Sequence, residues 1–138
     1  MIPSIKTPLI AFAFCVVVVA SYGLLRAGQR QVTLYYTPFE LVTLYAITPE
    51  NIEQGPYNVI RLNQEDERWR ALSRVLNRSV PGKFDAMNVR LKIRLPNGGS
   101  VLIDREGGIR REKMEARLEG AAFHEVIRVM KVLAPHDF

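Results

Sequence analysis

The chain has 138 residues, 48% hydrophobic and 24% charged, a composition that excludes intrinsic disorder and leaves room for one ordinary domain. Its net charge is +5, but Lys6, Arg26 and Arg30 supply three of the 19 basic residues and all 14 acids follow residue 30, so the chain from residue 31 onward carries only +2. That small excess, with no dense basic stretch interleaved with aromatics, speaks against nucleic acid as a partner.

Residues 7–25 are uncharged and centre on four consecutive valines at positions 16–19. As a helix this stretch rises roughly 28 Å, close to the ~30 Å hydrocarbon thickness of a bilayer. Lys6 and Arg26 bound it, and Tyr22 stands near one boundary, where amphipathic rings are at home. A cleaved signal peptide is the competing reading, with Val18 and Ala20 placed for cleavage before Ser21. The apolar character, however, persists through Leu24 and Leu25. The expectation is an uncleaved transmembrane anchor with its flanks over residues 1–30, followed by a tether over 31–38. The only cysteine, Cys15, lies inside the apolar stretch, which leaves the rest of the chain without thiol or disulfide chemistry. Basic residues on the two flanks nearly balance. The short N-terminal tail, the signal-like start and the cysteine-free remainder favour a soluble part outside the cytoplasm.

Residues 39–47 are rich in β-branched and aromatic side chains, with apolar positions of both parities, which predicts a central strand. Thr48-Pro49-Glu50-Asn51 predicts a single helical turn, stopped by Gly55 and Pro56. A second strand is expected over 57–62. Asn63 is placed to cap a helix whose apolar stripe is Trp69, Leu72, Val75 and Leu76, with Pro81-Gly82 ending it. Val89, Leu91, Ile93 and Leu95 alternate with Arg90, Lys92 and Arg94, the pattern of a half-buried strand with one apolar and one basic face. Pro96-Asn97-Gly98-Gly99 turns the chain into a partner strand over 101–103. Residues 104–108 predict another turn, 109–111 a short strand or helix lead-in, and 112–133 a helix that Gly120 bends or splits. The order over 39–138 is β-β-α-β-β-(β)-α. It predicts an α+β fold: a small antiparallel sheet with two helices packed on one face.

Catalytic constellations are absent from this pattern. His124 and His136 are twelve residues apart, and the residue that shares a helical face with His124 is Arg128, which is no metal ligand. Ser73, Ser79 and Ser100 have no base in a recognisable relation, and no Gly-x-Ser-x-Gly occurs. Asp104 and Glu106 fall on a turn, where Asp commonly bonds its own backbone. The glycine pairs lie between strands rather than ahead of a helix, so no phosphate loop is expected. No catalytic, cofactor-binding or metal residue is therefore assigned.

Surfaces remain. Arg90, Lys92 and Arg94 would project from one strand at roughly 6.8 Å intervals. They form either a docking face for an acidic partner or anionic headgroup, or a solvated face paired with neighbouring acids. Trp69 is either core or a binding hot spot. These four residues are the expected partner-binding set. The whole predicts a non-enzymatic, single-pass module on the outer side of a bacterial inner membrane, held in the bilayer through residues 7–25. It would bind another protein, as an accessory subunit of a larger membrane complex or an immunity-type inhibitor. A small envelope enzyme, or a domain that binds anionic lipid, is the alternative.

Overall fold

The structure is a computed structural model that describes residues 17–21, 30–55 and 58–135. The chain divides into two units, Met1–Arg30 and Gln31–Phe138. In the first, residues 17–21 are helical, and the Ser21 hydroxyl donates to the Val17 carbonyl at 2.8 Å. Among the described residues no helix is long and apolar enough to cross a membrane. Most of the expected span over 7–25 lies outside the described residues.

Among its described residues the second unit has seven antiparallel strands: β1 (Gln31–Tyr36), β2 (Asn58–Asn63), β3 (Ser79–Val80), β4 (Val89–Arg94), β5 (Ser100–Asp104), β6 (Gly108–Arg111) and β7 (Met114–Leu118). Their order across the sheet is β2-β1-β4-β5-β6-β7-β3. Two helices, α1 (Glu67–Leu76) and α2 (Gly120–Leu133), bury Leu72, Val75, Leu76, Ala122, Val126, Val129 and Met130 against one face. The sheet answers with Val32, Leu34, Leu62, Leu91, Ile93, Val101, Ile103, Ile109 and Leu118. The α+β class and the antiparallel sheet are as expected.

Three expectations about the elements are corrected. Residues 31–36 are not a tether. Val32, Leu34 and Tyr36 alternate as buried residues, and β1 pairs with β2 on one side and β4 on the other. Residues 39–47 are not a strand but a strap that starts at Phe39, packed edge-on against Phe123 in the helix-side core, and ends at Ile47, which bridges to Asn88 and joins the apolar cluster on the opposite face. Residues 114–118 are not helical. Glu112 and Lys113 form a two-residue turn, with Glu112 at φ 52°, and Met114, Ala116 and Leu118 then alternate along β7. Gly120 opens α2 rather than bending it.

Local chemistry explains the joints. Asp66, not Asn63, caps α1: its carboxylate accepts the Arg68 amide at 2.9 Å. Asn63 instead accepts the Glu65 amide at 3.1 Å, making the turn that delivers the chain to the cap. The turn at 48–54 is braced reciprocally, the Thr48 amide donating to Asn51 Oδ1 at 2.7 Å and the Asn51 amide to Thr48 Oγ1 at 3.3 Å. Buried Asp104 accepts three backbone amides, from Asp85 at 2.7 Å and from Glu106 and Gly108 at 2.8 Å each. It thereby fastens residues 81–88 to the β5–β6 turn. A Cβ on Gly108 would collide with the Asp104 carboxylate and sit 2.6 Å from the Lys83 carbonyl, so only glycine fits there.

Candidate functional site

The basic strand β4 is the natural place to begin, since it carries three of the four expected site residues. Its alternation is broken at the start. Val89 pairs with Asp104 and Leu91 with Ile103, so Arg90 is the extra residue of a β-bulge. The bulge turns Val89 to the face opposite the helices, where it packs with Ile47, Ile52, Phe84 and Leu102 in a second apolar cluster. Only Leu91, Ile93 and Leu95 remain on the helix side. This corrects the expected single apolar face.

The three cations are not an open row either. Arg90 is 1% exposed, and its guanidinium donates to the carbonyls of Val89 at 3.2 Å and Leu41 at 3.1 Å. Lys92 donates to the Pro49 carbonyl at 2.8 Å and pairs with Glu53 at 2.9 Å. Arg94 meets the same carboxylate with two hydrogen bonds of 2.7 Å, and its guanidinium stands 6.0 Å from the centre of the Tyr35 ring. The three cations thus grip the strap at Leu41 and the turn that follows it at Pro49 and Glu53. Arg94 alone keeps a side chain more than half exposed, at 56%. Trp69 is partly buried against the helix-side core, on the other face of the sheet. The structure therefore does not bring Trp69 together with the basic strand.

Glu53 is the centre of this clamp. Burial opposes its charge, yet the hydrogen bonds from Lys92 and Arg94 outweigh that and hold its pKa below 4.5. A depressed folded-state pKa contributes stability that is full above pH 4.5 and is lost as pH falls through the folded value. Asp66, drawn down from 3.8 to about 2 by its hydrogen bonds from Arg68, adds a second loss below pH 3.8. The urea midpoint should thus fall as pH drops below 4.5, and Glu53→Gln should flatten the upper part of that fall. An unchanged pH profile in this variant would mean the clamp is not formed in solution.

What the clamp holds is the feature the sequence reading missed. Between core-anchored Phe39 and Ile47 the strap lifts away from the sheet. Leu41, Val42, Leu44 and Tyr45 are exposed by 40%, 74%, 102% and 63%, and no charge occurs from residue 41 to 49. Met87, 57% exposed, accepts the Ile47 amide on its carbonyl at 3.1 Å. The loop is nonetheless fixed at several points. Arg90 holds the Leu41 carbonyl, Asn51 Nδ2 holds the Ala46 carbonyl at 3.0 Å, and the Thr43 hydroxyl donates to the Tyr45 carbonyl at 2.8 Å. An apolar loop on a braced frame is a different object from a solvated turn, because water gains nothing from its exposure. The signal for it was present in the apolar residues of both parities, a pattern that a buried strand and an unpartnered loop share.

Asp104 and His124, also weighed from sequence, have plain structural roles, and His136 lies outside the described residues. Asp104 is the backbone acceptor described above. His124 Nδ1 lies 2.7 Å from the Gly120 carbonyl within its own helix. Among the described residues no three His, Cys, Asp or Glu side chains cluster as a metal site would require. No protein family, curated protein or solved structure matches the chain.

Proposed function

We propose that the protein is a non-enzymatic module that docks another protein through the apolar loop at residues 41–45, while residues 7–25 hold it to a membrane with the folded part outside the cytoplasm. The observation that carries this reading is the loop itself: four large apolar side chains, Leu44 fully exposed, on a strap that a buried arginine and an ion-pair clamp hold in place. Rigid presentation lowers the entropy cost of docking, and central apolar residues carry most of the binding free energy in protein interfaces.

Within the folded unit the loop emerges beyond Tyr36, at the other end of β1 from Gln31 and roughly 20 Å away. Arg94, the exposed end of the clamp, belongs to the same face of the sheet as the strap and would meet an acidic rim on the partner.

A photo-crosslinking residue in place of Leu44, in native membranes, is expected to give one discrete protein adduct that the same probe at exposed Gln64 does not give. Leu44→Asp should remove the partner without moving the melting temperature. Adducts to lipid alone would transfer the loop to the bilayer, and a shifted melt would show that Leu44 serves the fold.

A further inference from the structure

A second surface lies on the helix side of the sheet, at the end away from the loop, and is independent of the reading above. Strand β3 covers β7 only at Arg117 and Leu118, whereas β6 runs beside β7 down to Met114. Among the described residues, Met114, Glu115 and Ala116 therefore have a strand on one side only. The Leu118 amide donates to Gly107, toward β6, at 2.9 Å. Alternation along an antiparallel strand then turns the amides of Met114 and Ala116 inward, and the N–H and C=O of Glu115 outward into open space.

Next to this edge is a groove of about 490 Å³, floored by Leu95, Val101, Ile109 and Ala116 and walled by Met114. Val101 and Ile109 already belong to the core, so the groove is a part of the helix-bearing face that α1 and α2 leave uncovered. An open edge beside an apolar groove is the arrangement that takes an added strand, whose main chain pairs with the edge and whose alternate side chains enter the groove. The register follows. Partner residues level with Met114 and Ala116 face the groove, and the one level with Glu115 faces the opposite side.

Charge selects the partner. The β6–β7 hairpin carries Arg110, Arg111, Lys113 and Arg117 against Glu112 and Glu115, and none of these four cations forms an ion pair with a carboxylate among the described residues. Arg110, cross-strand from Glu115, lies over the Phe84 ring at 4.9 Å on the face away from the groove, and Arg111, which lines the groove, donates to the Leu76 carbonyl at 2.7 Å. The same excess of cations on a second copy would repel, which disfavours edge-to-edge pairing of this chain with itself. We infer that the outer edge of β7 and its groove bind an extended acidic–apolar segment of another protein, as an added antiparallel strand.

The test uses the full chain in detergent and a fluorescent decapeptide of alternating valine and glutamate, followed by anisotropy. Saturable binding is expected. It should weaken by about tenfold or more when the central valine of the peptide is replaced by proline, or when lysine replaces every glutamate. Glu115→Pro removes only the outward N–H and is expected to keep the melt while losing the peptide by a similar factor. Lys113→Glu with Arg117→Glu tests the same edge if the proline variant does not fold. Leu44→Asp should leave peptide binding unchanged, which separates this surface from the loop. No saturable binding, equal binding of the lysine peptide, or full binding by the charge-reversed hairpin would each overturn the inference, as would a stable dimer of the chain paired through β7.

Discussion

Asp104→Ala is expected to lower the unfolding free energy by about 3 kcal/mol, a large share of the 5–15 kcal/mol typical of a domain. The carboxylate accepts amides from Asp85, Glu106 and Gly108 at 2.7–2.8 Å while only 3% exposed. A buried amide left without an acceptor costs roughly 1–3 kcal/mol, and Gly108 is buried. The Asp85 and Glu106 amides sit on exposed residues and recover part of their loss from water. The damage should spread beyond the hydrogen bonds. Once residues 81–88 are released, Phe84 and Ala86 leave the second apolar cluster, which also holds Ile47, Ile52, Val89 and Leu102. Asp104→Asn keeps one acceptor oxygen and the side-chain shape, so it should fall between the two. Urea unfolding followed by circular dichroism measures all three proteins. A loss below about 1 kcal/mol for the alanine variant would mean the carboxylate does not tie the two segments together.

The parts of this fold legible in the sequence were those where one period ruled. The helical stripe Trp69, Leu72, Val75 and Leu76, and the alternation Leu91, Ile93, Leu95, both met a single buried face and both were placed correctly. Failure came where the pattern was degenerate. Val32, Leu34 and Tyr36 alternate as buried residues, but Tyr35 is partly buried on the opposite face and the stretch follows closely on the apolar run read from sequence as an anchor. Met114, Ala116 and Leu118 fit period two and lie in a run that also fits a helix, and the turn that decides between them rests on Glu112 at positive φ, where glycine or asparagine would have signalled it. The bulge at Arg90 left no trace in the sequence, because Val89 is apolar and suits either face. The site followed the same rule. A basic row was readable. That Glu53 and the Leu41 and Pro49 carbonyls fold back onto it depends on a contact across some forty residues, which no local spacing encodes.

The three cations of β4 should therefore separate sharply when each is reversed. Arg90→Glu is expected to unfold the domain or lower its stability by about 3–5 kcal/mol. The side chain is 1% exposed and donates to the carbonyl oxygens of Val89 and Leu41, both acceptors. A carboxylate in that place would be buried against like partial charge, with no donor to replace the two hydrogen bonds lost. Arg90→Met keeps the apolar stem and removes the charge, so its loss should be smaller, with the Leu41 carbonyl recovering water at a residue already 40% exposed. Lys92→Glu sets two carboxylates together at a position where Lys92 and Glu53 are only 15% and 20% exposed, an intermediate cost. Arg94→Glu acts at a side chain 56% exposed and should change stability by no more than about 1 kcal/mol. An open basic face predicts the opposite, three small and similar effects. Because Arg90 also holds the base of the exposed loop, Arg90→Met has a second expected result. The loop should lose its fixed geometry, and amide exchange at residues 41–45 should quicken while exchange in β1 and β5 does not. Unchanged exchange in the loop would show that the strap is held by Glu53 and the Thr48–Asn51 turn alone, and would leave Arg90 with a role in the sheet only.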